Sequence, residues 1–120
     1  MIAVAQSKKV LVVEDEALVA FFVEDLLIGL GYQVVGPAAS AEKALRLLQS
    51  AQVDIALLDV NLGGGRNSYA VADELFRNAI KFAFVTGYGK QGVSSAYSVP
   101  VLQKPFTEKS LSELLTQLTQ

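Results

Sequence analysis

Residues 55–59 read Ile55-Ala56-Leu57-Leu58-Asp59, a continuous apolar run that is closed by an aspartate. Such a run is typical of a strand that is buried on both faces, as in a parallel sheet covered by helices. Similar runs occur at Lys9 to Val13, Gln33 to Gly36, Phe82 to Thr86 and Val99 to Leu102. The sequence therefore predicts five buried strands.

The segment after the first strand predicts a long helix. It runs from about Glu16 to Leu30, and Gly31 is placed to end it as the glycine that follows a helix C-terminus. Apolar residues recur at helical spacing along this segment, which predicts one apolar stripe of the kind that faces a core. The residues of this stripe are Leu18, Phe22, Leu26 and Leu30.

Further helices are predicted between and after the remaining strands. One follows Ser40 as its N-cap, one runs from roughly Tyr69 to Asn78, and the last begins after Thr107. The segment from Gln91 to Tyr97 is short and rich in Ser and Gly, so it is predicted as one or two helical turns or an irregular loop. The inward residues are Ala44, Leu47 and Leu48, then Val71, Ala72 and Leu75, and in the last helix Leu111, Leu114, Leu115 and Leu118.

Strands that alternate with helical segments indicate an α/β fold of the (βα)5 kind. The expected architecture is a doubly wound, five-stranded parallel sheet, flavodoxin-like, with strand order 2-1-3-4-5. No linker or repeat divides the 120 residues. We therefore expect a single domain over residues 1–120, with a core over about 8–120 and a tail over 1–7.

Composition excludes several functional classes. The chain has no Cys and no His, which removes disulfides, zinc sites built on those residues, and Ser-His or Cys-His catalysis. Ten Lys plus Arg are scattered against twelve Asp plus Glu, so no basic surface for nucleic acid is expected. The apolar stretch from Ala17 to Val23 is too short to span a bilayer, and the N-terminus lacks the order of a secretory signal. These features predict a cytoplasmic protein that binds neither nucleic acid nor membranes.

Polar side chains follow most of the predicted strands. Because the carboxyl ends of parallel strands meet at one edge of a sheet, we expect these side chains to lie close together. They are Glu14, Asp15 and Glu16 after strand 1, Asp59 and Asn61 at strand 3, Thr86 at strand 4, and Lys104, before Pro105, after strand 5.

This set of side chains points to phosphoryl chemistry. Asp15 and Asp59 in one cleft repel each other unless a cation lies between them, and oxygen ligands without His or Cys favour Mg²⁺. Lys104 can pair with an anion, to which Thr86 can donate a hydrogen bond. A carboxylate in such a site can itself be the nucleophile and form an acyl phosphate. The glycines at 63–65 are not a P-loop, because no Gly-Lys-Ser/Thr follows them.

With these residues in this order, the sequence from about Lys8 to Gln120 resembles the receiver domain of two-component response regulators. The resemblance implies that Asp59 is the phosphoacceptor and that Glu14 and Asp15 hold Mg²⁺. It implies that Asn61 supplies a backbone carbonyl to the metal.

The same resemblance assigns two residues to the phosphoryl group. The hydroxyl of Thr86 would follow it, and Lys104, before a cis Pro105, would bind it. The segment from Phe84 to Gly89 is also similar to the FATGUY subgroup of receivers, with Val85 in place of an Ala.

The sequence departs from usual receivers at two places. Val101 lies three positions before Lys104, where such receivers carry an aromatic switch residue, and Tyr88 is the nearest substitute. We predict that Tyr88 either closes over the phosphorylated site or packs on strands 4 and 5. Gly63 replaces a Pro in the loop after the phosphoacceptor, which predicts a mobile loop before phosphorylation.

The resulting hypothesis is a stand-alone receiver that takes a phosphoryl group onto Asp59 with Mg²⁺. The donor would be a histidine kinase or a histidine phosphotransfer protein, and the signal would be a conformational change read by a downstream protein. We expect no enzymatic turnover beyond slow self-hydrolysis. A Mg²⁺-dependent phosphatase with an Asp nucleophile is one alternative, although it needs a second carboxylate at the position of Asn61. A receiver-like interaction module that is never phosphorylated is the other.

Overall fold

The computed structural model describes residues 7–87, 92–94 and 96–120. Strands and helices alternate along these residues as far as β4, and a fifth strand and a last helix follow. The elements are β1 (Lys9–Val13), α1 (Ala17–Gly29), β2 (Gln33–Ala38), α2 (Ala41–Ser50), β3 (Ile55–Asp59), α3 (Tyr69–Arg77), β4 (Lys81–Thr86), β5 (Val101–Gln103) and α4 (Glu108–Leu118).

The strands form one parallel sheet in the order β2-β1-β3-β4-β5. Alternate side chains of each strand enter two separate apolar clusters, one on each face. Residues of α2 and α3 complete the first cluster, and residues of α1 and α4 complete the second. The predicted fold class and strand order are confirmed, and the continuous apolar runs are explained by burial on both faces.

The predicted apolar stripe of α1 is wrong in its first half, at Leu18 and Phe22, whereas Leu26 and Leu30 in its second half pack against the second cluster. Leu18 is 85% exposed and Phe22 is 49% exposed, whereas the buried residues of this helix are Ala20, Val23 and Leu27. The helix is apolar around most of its circumference, so periodicity could not identify the inward face. None of the helices in the described part of the chain has the length and apolar character that a membrane span requires.

The helix ends follow the predicted capping residues. Ser40 Oγ accepts a hydrogen bond from the Lys43 amide at 3.2 Å, and Thr107 Oγ1 accepts one from the Ser110 amide at 3.1 Å. Gly31 follows α1 with a φ of +94°, a backbone conformation that glycine adopts without steric strain. The two hydroxyl residues thus accept hydrogen bonds from free amides at helix N-termini, and Gly31 lies where α1 ends, as the sequence predicted.

Two predicted strand boundaries need correction, and the alternatives for the segment from Gln91 to Tyr97 can be compared with the structure. β2 continues past Gly36 to Ala38, and β5 begins at Val101 rather than Val99. No α-helix forms within residues 92–94 and 96–100, although Gln91 and Ser95 lie outside the described residues. A turn closed by the Tyr97 amide and the Ser94 carbonyl at 3.2 Å is found there instead. Ser and Gly have low helix propensity, which favours the loop alternative.

The corrected orientation of α1 predicts a contrast between two leucines. Leu27→Ala should lower the free energy of unfolding by about 2–5 kcal/mol, because it opens a cavity in a packed core. Leu18→Ala should change it by less than about 0.5 kcal/mol, because this side chain already lies in water. Urea unfolding of both variants measures the difference, and equal losses would contradict the orientation.

Candidate functional site

The Lys104 ammonium lies between two buried carboxylates. Its Nζ donates to Glu14 Oε1 at 2.8 Å and to Asp59 Oδ2 at 3.1 Å. Glu14 is 5% exposed and Asp59 is 7% exposed. Carboxylates buried to this extent are costly unless a positive charge and hydrogen bonds compensate them. Glu14 follows β1, Asp59 ends β3 and Lys104 follows β5, so the sheet topology itself brings the three charges together.

Backbone groups fix the carboxylates from the other side. The Asn61 amide donates to Asp59 Oδ1 at 3.3 Å, and the Glu16 amide donates to Glu14 Oε2 at 3.1 Å. These bonds leave each carboxylate held between a main-chain donor and the lysine. The amide of Asn61 thus lies beside Asp59, and the predicted role of its carbonyl toward a metal ion stays a prediction.

Thr86 is at the same edge of the sheet. It is buried at the end of β4, directly after Val85, which is the register partner of Asp59. Its carbonyl accepts a hydrogen bond from the Lys104 amide at 2.9 Å. This bond sets the position at which the lysine side chain leaves the backbone, and it couples the end of β4 to the ion pair.

Glu14, Asp15 and Asp59 form a cluster that can hold a metal ion. One carboxylate oxygen of each lies within 4.8 Å of the others. Oxygen ligands of this kind suit Mg²⁺, which uses one or two carboxylates and keeps several waters. Asp15 is exposed, so the cluster is open to solvent on its side. The residues present therefore fit Mg²⁺, and Lys104 supplies one positive charge beside their three carboxyl groups.

Burial changes the ionisation of this cluster. It raises the pKa of Glu14 from 4.5 to about 7, against the lowering effect of the hydrogen bond from Lys104. For Lys104, burial lowers the pKa, but the hydrogen bonds to Glu14 and Asp59 outweigh it and the pKa is raised overall. Lys104 therefore stays charged at neutral pH, whereas the carboxyl group of Glu14 titrates near neutral pH.

The glycines after β3 form a defined turn. The Leu62 amide donates to the Arg66 carbonyl at 3.0 Å, and the Arg66 amide donates to the Gly63 carbonyl at 2.9 Å. Gly63 has a φ of +81°, and a Cβ at this position would lie 3.1 Å from Asp15 Oδ2. Gly63 thus leaves room for the Asp15 carboxylate, a contact that sequence reasoning missed because the two residues lie far apart in the chain.

The predicted site residues are brought together as expected. Glu14, Asp15, Asp59 and Lys104 are in one cluster, Asn61 and Thr86 adjoin it, and the Lys104–Pro105 bond is cis. Tyr88 lies outside the described residues, so the prediction about its ring stays a prediction.

A protein family and a solved structure both match this chain over most of its length. The description that matches residues 10–116 is the response regulator receiver domain. The chain belongs to this family. A solution structure of SdrG from Sphingomonas melonis matches this receiver with a TM-score of 0.85 and 38% sequence identity, covering 99% of this chain and 100% of that one.

Curated relatives of this receiver are regulators. PhyR of Methylorubrum extorquens is 26% identical over 120 residues, which cover 97% of this chain and 45% of PhyR. The transcriptional regulatory protein PdtaR of Mycobacterium tuberculosis is 25% identical over 115 residues, which cover 92% of this chain and 55% of PdtaR. The receiver therefore spans about half the length of the curated relatives it matches.

The raised pKa of Glu14 predicts how the stability of the metal-free receiver depends on pH. Between its ordinary pKa of 4.5 and its folded pKa of about 7, the folded protein binds a proton that the unfolded chain has lost. The free energy of unfolding should therefore fall as the pH rises through this window. Urea unfolding at several pH values between 5.5 and 8, with a chelator present, measures the slope.

Glu14→Gln is the matched variant for this prediction, since it keeps the shape of the side chain and removes the titrating group. It should flatten the pH dependence in that window. The same slope in Glu14→Gln and in the parent would contradict the assignment to Glu14.

Proposed function

We propose that this receiver accepts a phosphoryl group on Asp59, with Mg²⁺ bound, and signals by a change of conformation. The observation that carries the proposal is the Lys104 ammonium, held at 2.8 Å from Glu14 Oε1 and 3.1 Å from Asp59 Oδ2 beside an open cluster of carboxylates. This arrangement supplies a nucleophile, a fixed positive charge and a metal-binding cluster within one edge of the sheet. Positioning and charge neutralisation are most of what phosphoryl transfer needs.

Asp59 is the best placed nucleophile of the cluster. It ends β3, the central strand, so the acids after β1 lie on one side of it and Thr86 and Lys104 lie on the other. Its Oδ2 is paired with Lys104 and its Oδ1 accepts from the Asn61 amide. A phosphoryl group on either oxygen would therefore meet a donor without a large rearrangement.

The proposed step is a displacement at phosphorus. A carboxylate oxygen of Asp59 forms the new bond to phosphorus, and the phosphorus–nitrogen bond of the donor phosphohistidine breaks, with its electron pair leaving on the imidazole nitrogen. Lys104 shifts from the carboxylate to a phosphoryl oxygen and keeps its charge, and the Thr86 hydroxyl hydrogen-bonds a second phosphoryl oxygen. Bound Mg²⁺, held by Asp15, Asp59 and the Asn61 carbonyl with Glu14 nearby, would supply positive charge opposite the phosphoryl group.

A protein donor is supported by the surface next to the site. α1 begins three residues after Glu14, and four large apolar side chains of this helix are exposed, namely Leu18, Phe21, Phe22 and Ile28. Exposed apolar groups in such number mark a surface for protein contact. A histidine kinase or a histidine phosphotransfer protein that reaches Asp59 would cover the first turns of this helix.

The remaining features of the proposal come from the family. The segment from Phe84 to Gly89 resembles the FATGUY subgroup in sequence. The match to SdrG covers 100% of the SdrG chain at 38% identity, which supports the proposal of a stand-alone receiver. A related structure is titled an anti-anti-sigma factor PhyR, from Bartonella quintana, and a downstream protein partner is part of this proposal. The cytoplasmic location and slow self-hydrolysis expected from the sequence belong to it as well.

No observation favours the alternative of a phosphatase. Such an enzyme needs a general acid two positions after the nucleophile, and Asn61 at that position directs its amide oxygen to the Gly63 amide at 3.0 Å. Against the alternative of a module that is never phosphorylated, we cite the two buried carboxylates beside the half-buried Lys104, because such a group of charges contributes little to stability by itself.

The central test is labelling with phosphoramidate and Mg²⁺. The parent receiver should gain one phosphoryl group, seen by intact mass, and Asp59→Asn should gain none while keeping the circular dichroism spectrum of the parent. Asp54→Asn is the matched control, because Asp54 precedes the same strand at the opposite edge, where its Oδ2 accepts from the Lys9 amide at 2.8 Å.

Asp54→Asn should be labelled like the parent. Labelling of Asp59→Asn would remove the assignment of the nucleophile, and continuous release of inorganic phosphate from phosphate monoesters would favour the phosphatase.

A second test concerns the metal-binding residues. Asp15→Ala should abolish Mg²⁺ binding measured by calorimetric titration in the absence of any phosphoryl donor. Gly63→Ala should weaken it by about tenfold, because the new Cβ pushes Asp15 Oδ2 aside.

Gly64→Ala is the control for backbone strain. Gly64 has a φ of +59°, and a Cβ there would meet nothing within 4 Å. Its Mg²⁺ affinity should stay near that of the parent. Equal affinities in the two alanine variants would refute the contact between Gly63 and Asp15 as a determinant of metal binding.

A further inference from the structure

Tyr97 lies in an aromatic stack on α3. Its ring is parallel to that of Tyr69 at a centroid distance of 5.0 Å and to that of Phe76 at 6.1 Å. Phe84 of β4 meets it edge-on at 5.4 Å. Aromatic pairs at these distances add stabilisation beyond the area that they bury. Tyr97 therefore fastens the segment before β5 onto α3.

Hydrogen bonds strengthen this attachment. The Tyr97 hydroxyl donates to Asp73 Oδ1 at 2.7 Å, and the Ser94 amide donates to the Tyr69 hydroxyl at 2.9 Å. Burial and the Asp73 carboxylate raise the pKa of Tyr97 to about 12, so its hydroxyl stays protonated and keeps donating. We call Tyr97 with its partners Tyr69, Asp73 and Phe76 the aromatic clamp.

The aromatic clamp adjoins the phosphoryl site through two elements. Tyr69 is the first residue of α3 and follows the loop that begins after Asp59, and its ring meets Phe84 edge-on at 5.7 Å. Phe84 lies two residues before Thr86 on β4. A shift of the loop after Asp59 or of the end of β4 would therefore move a ring that contacts Tyr97.

A cleft beside the segment gives the Tyr97 ring a possible second position. A cleft of about 510 Å³ adjoins the segment, and Tyr97 itself lines it together with Val93, Val99, Val101 and polar residues such as Gln117. Val101 stands where usual receivers carry their aromatic switch, and its smaller side chain leaves this cleft open to a ring from elsewhere. Ser68, just before Tyr69, has a buried hydroxyl with no partner among the described protein groups.

We propose that Tyr97 is the switch residue of this receiver, in the place of the missing aromatic at Val101. Its position in the aromatic clamp is the resting state. Phosphorylation of Asp59 shifts the population toward a state in which the ring leaves α3 for the adjacent cleft, which exposes more of the half-buried Tyr69 and frees the ring face of Phe76 and the Asp73 carboxylate from their contacts with Tyr97. This inference rests on the proposed function, because phosphorylation is the event that moves the equilibrium.

The two positions provide the differential contacts that a switch requires. In the resting state the ring has three aromatic neighbours and a carboxylate acceptor. In the cleft it would be covered by valine side chains, so little apolar area returns to water. A modest change of loop geometry at Asp59 is then enough to change the ratio of the two states. The uncovered face of α3 would present two rings and a carboxylate to a downstream protein.

Hydrogen–deuterium exchange of the full chain tests the switch. Amides of residues 69–77 and 92–100 are compared with and without phosphoramidate and Mg²⁺, and intact mass reports the phosphoryl group in the same sample. In the parent, phosphorylation should accelerate exchange in both segments by about tenfold. This factor corresponds to a decrease of roughly 1.4 kcal/mol in the free energy of local opening.

Variants of the aromatic clamp test its contacts without any phosphorylation of Asp59. Tyr97→Leu should show the faster exchange without any donor, and Tyr97→Phe and Asp73→Asn, which alter only the hydroxyl contact, should show a smaller acceleration of severalfold. Tyr32→Phe is the control, because Tyr32 packs in the cluster on the opposite face of the sheet. Its exchange in the two segments should match the parent.

The outcomes distinguish the two proposals. A parent that takes up no phosphoryl group overturns the proposed function, and the donor-free comparison of the variants still decides whether the clamp holds the segment on α3. A parent that is labelled at Asp59 without faster exchange in residues 69–77 overturns the switch. Donor-free exchange in Tyr97→Leu, Tyr97→Phe and Asp73→Asn that equals the parent's overturns it as well.

Discussion

The compensation of two buried negative charges by Lys104 is the constraint on which this receiver depends. Glu14 and Asp59 are buried because each directly follows four buried apolar residues of a strand, Val10 to Val13 in β1 and Ile55 to Leu58 in β3. Neither could stay ionised there without a cation, and the lysine reaches both because the sheet order brings the ends of β1, β3 and β5 to one edge. The bond between the Lys104 amide and the Thr86 carbonyl then ties the fourth strand to the same centre.

This ion pair is a resting arrangement that other charges can replace. In the proposed function, a phosphoryl group or a divalent cation would change the balance of charge around Lys104, and each carboxylate has a backbone donor that would keep it in place if the lysine moved. The electrostatic centre and the aromatic clamp share β4, since Thr86 and Phe84 lie on the same strand. Charge at the edge of the sheet is thereby connected to ring packing on α3 through one buried strand.

The sequence predicted the features that depend on strand period, strand ends and capping residues. Asp59 could be located because a carboxylate after four buried residues is exceptional, and Ser40 and Thr107 because N-caps have a local chemical reason. The inward face of α1 could not be predicted, since a helix that is apolar on all sides has no preferred face until a sheet packs on it. The contacts of Gly63 with Asp15 and of Tyr97 with Asp73 could not be predicted either, because each joins residues that are distant in the chain and depends on the backbone path of a loop.

The two faces of α1 differ in how well they tolerate substitutions. The inward face uses Ala20, Val23 and Leu27, whose sizes fix the distance of the helix from the sheet, so substitutions there affect folding. The outward face has Leu18, Phe21 and Ile28 in water, where a substitution alters the surface while the core stays intact. Mutations on this outer face can therefore accumulate without loss of the fold or of the charges around Lys104. A duplicated copy of such a gene could acquire a new upstream partner through a few changes in one helix, and cross-talk with the original partner would fall as those changes accumulate.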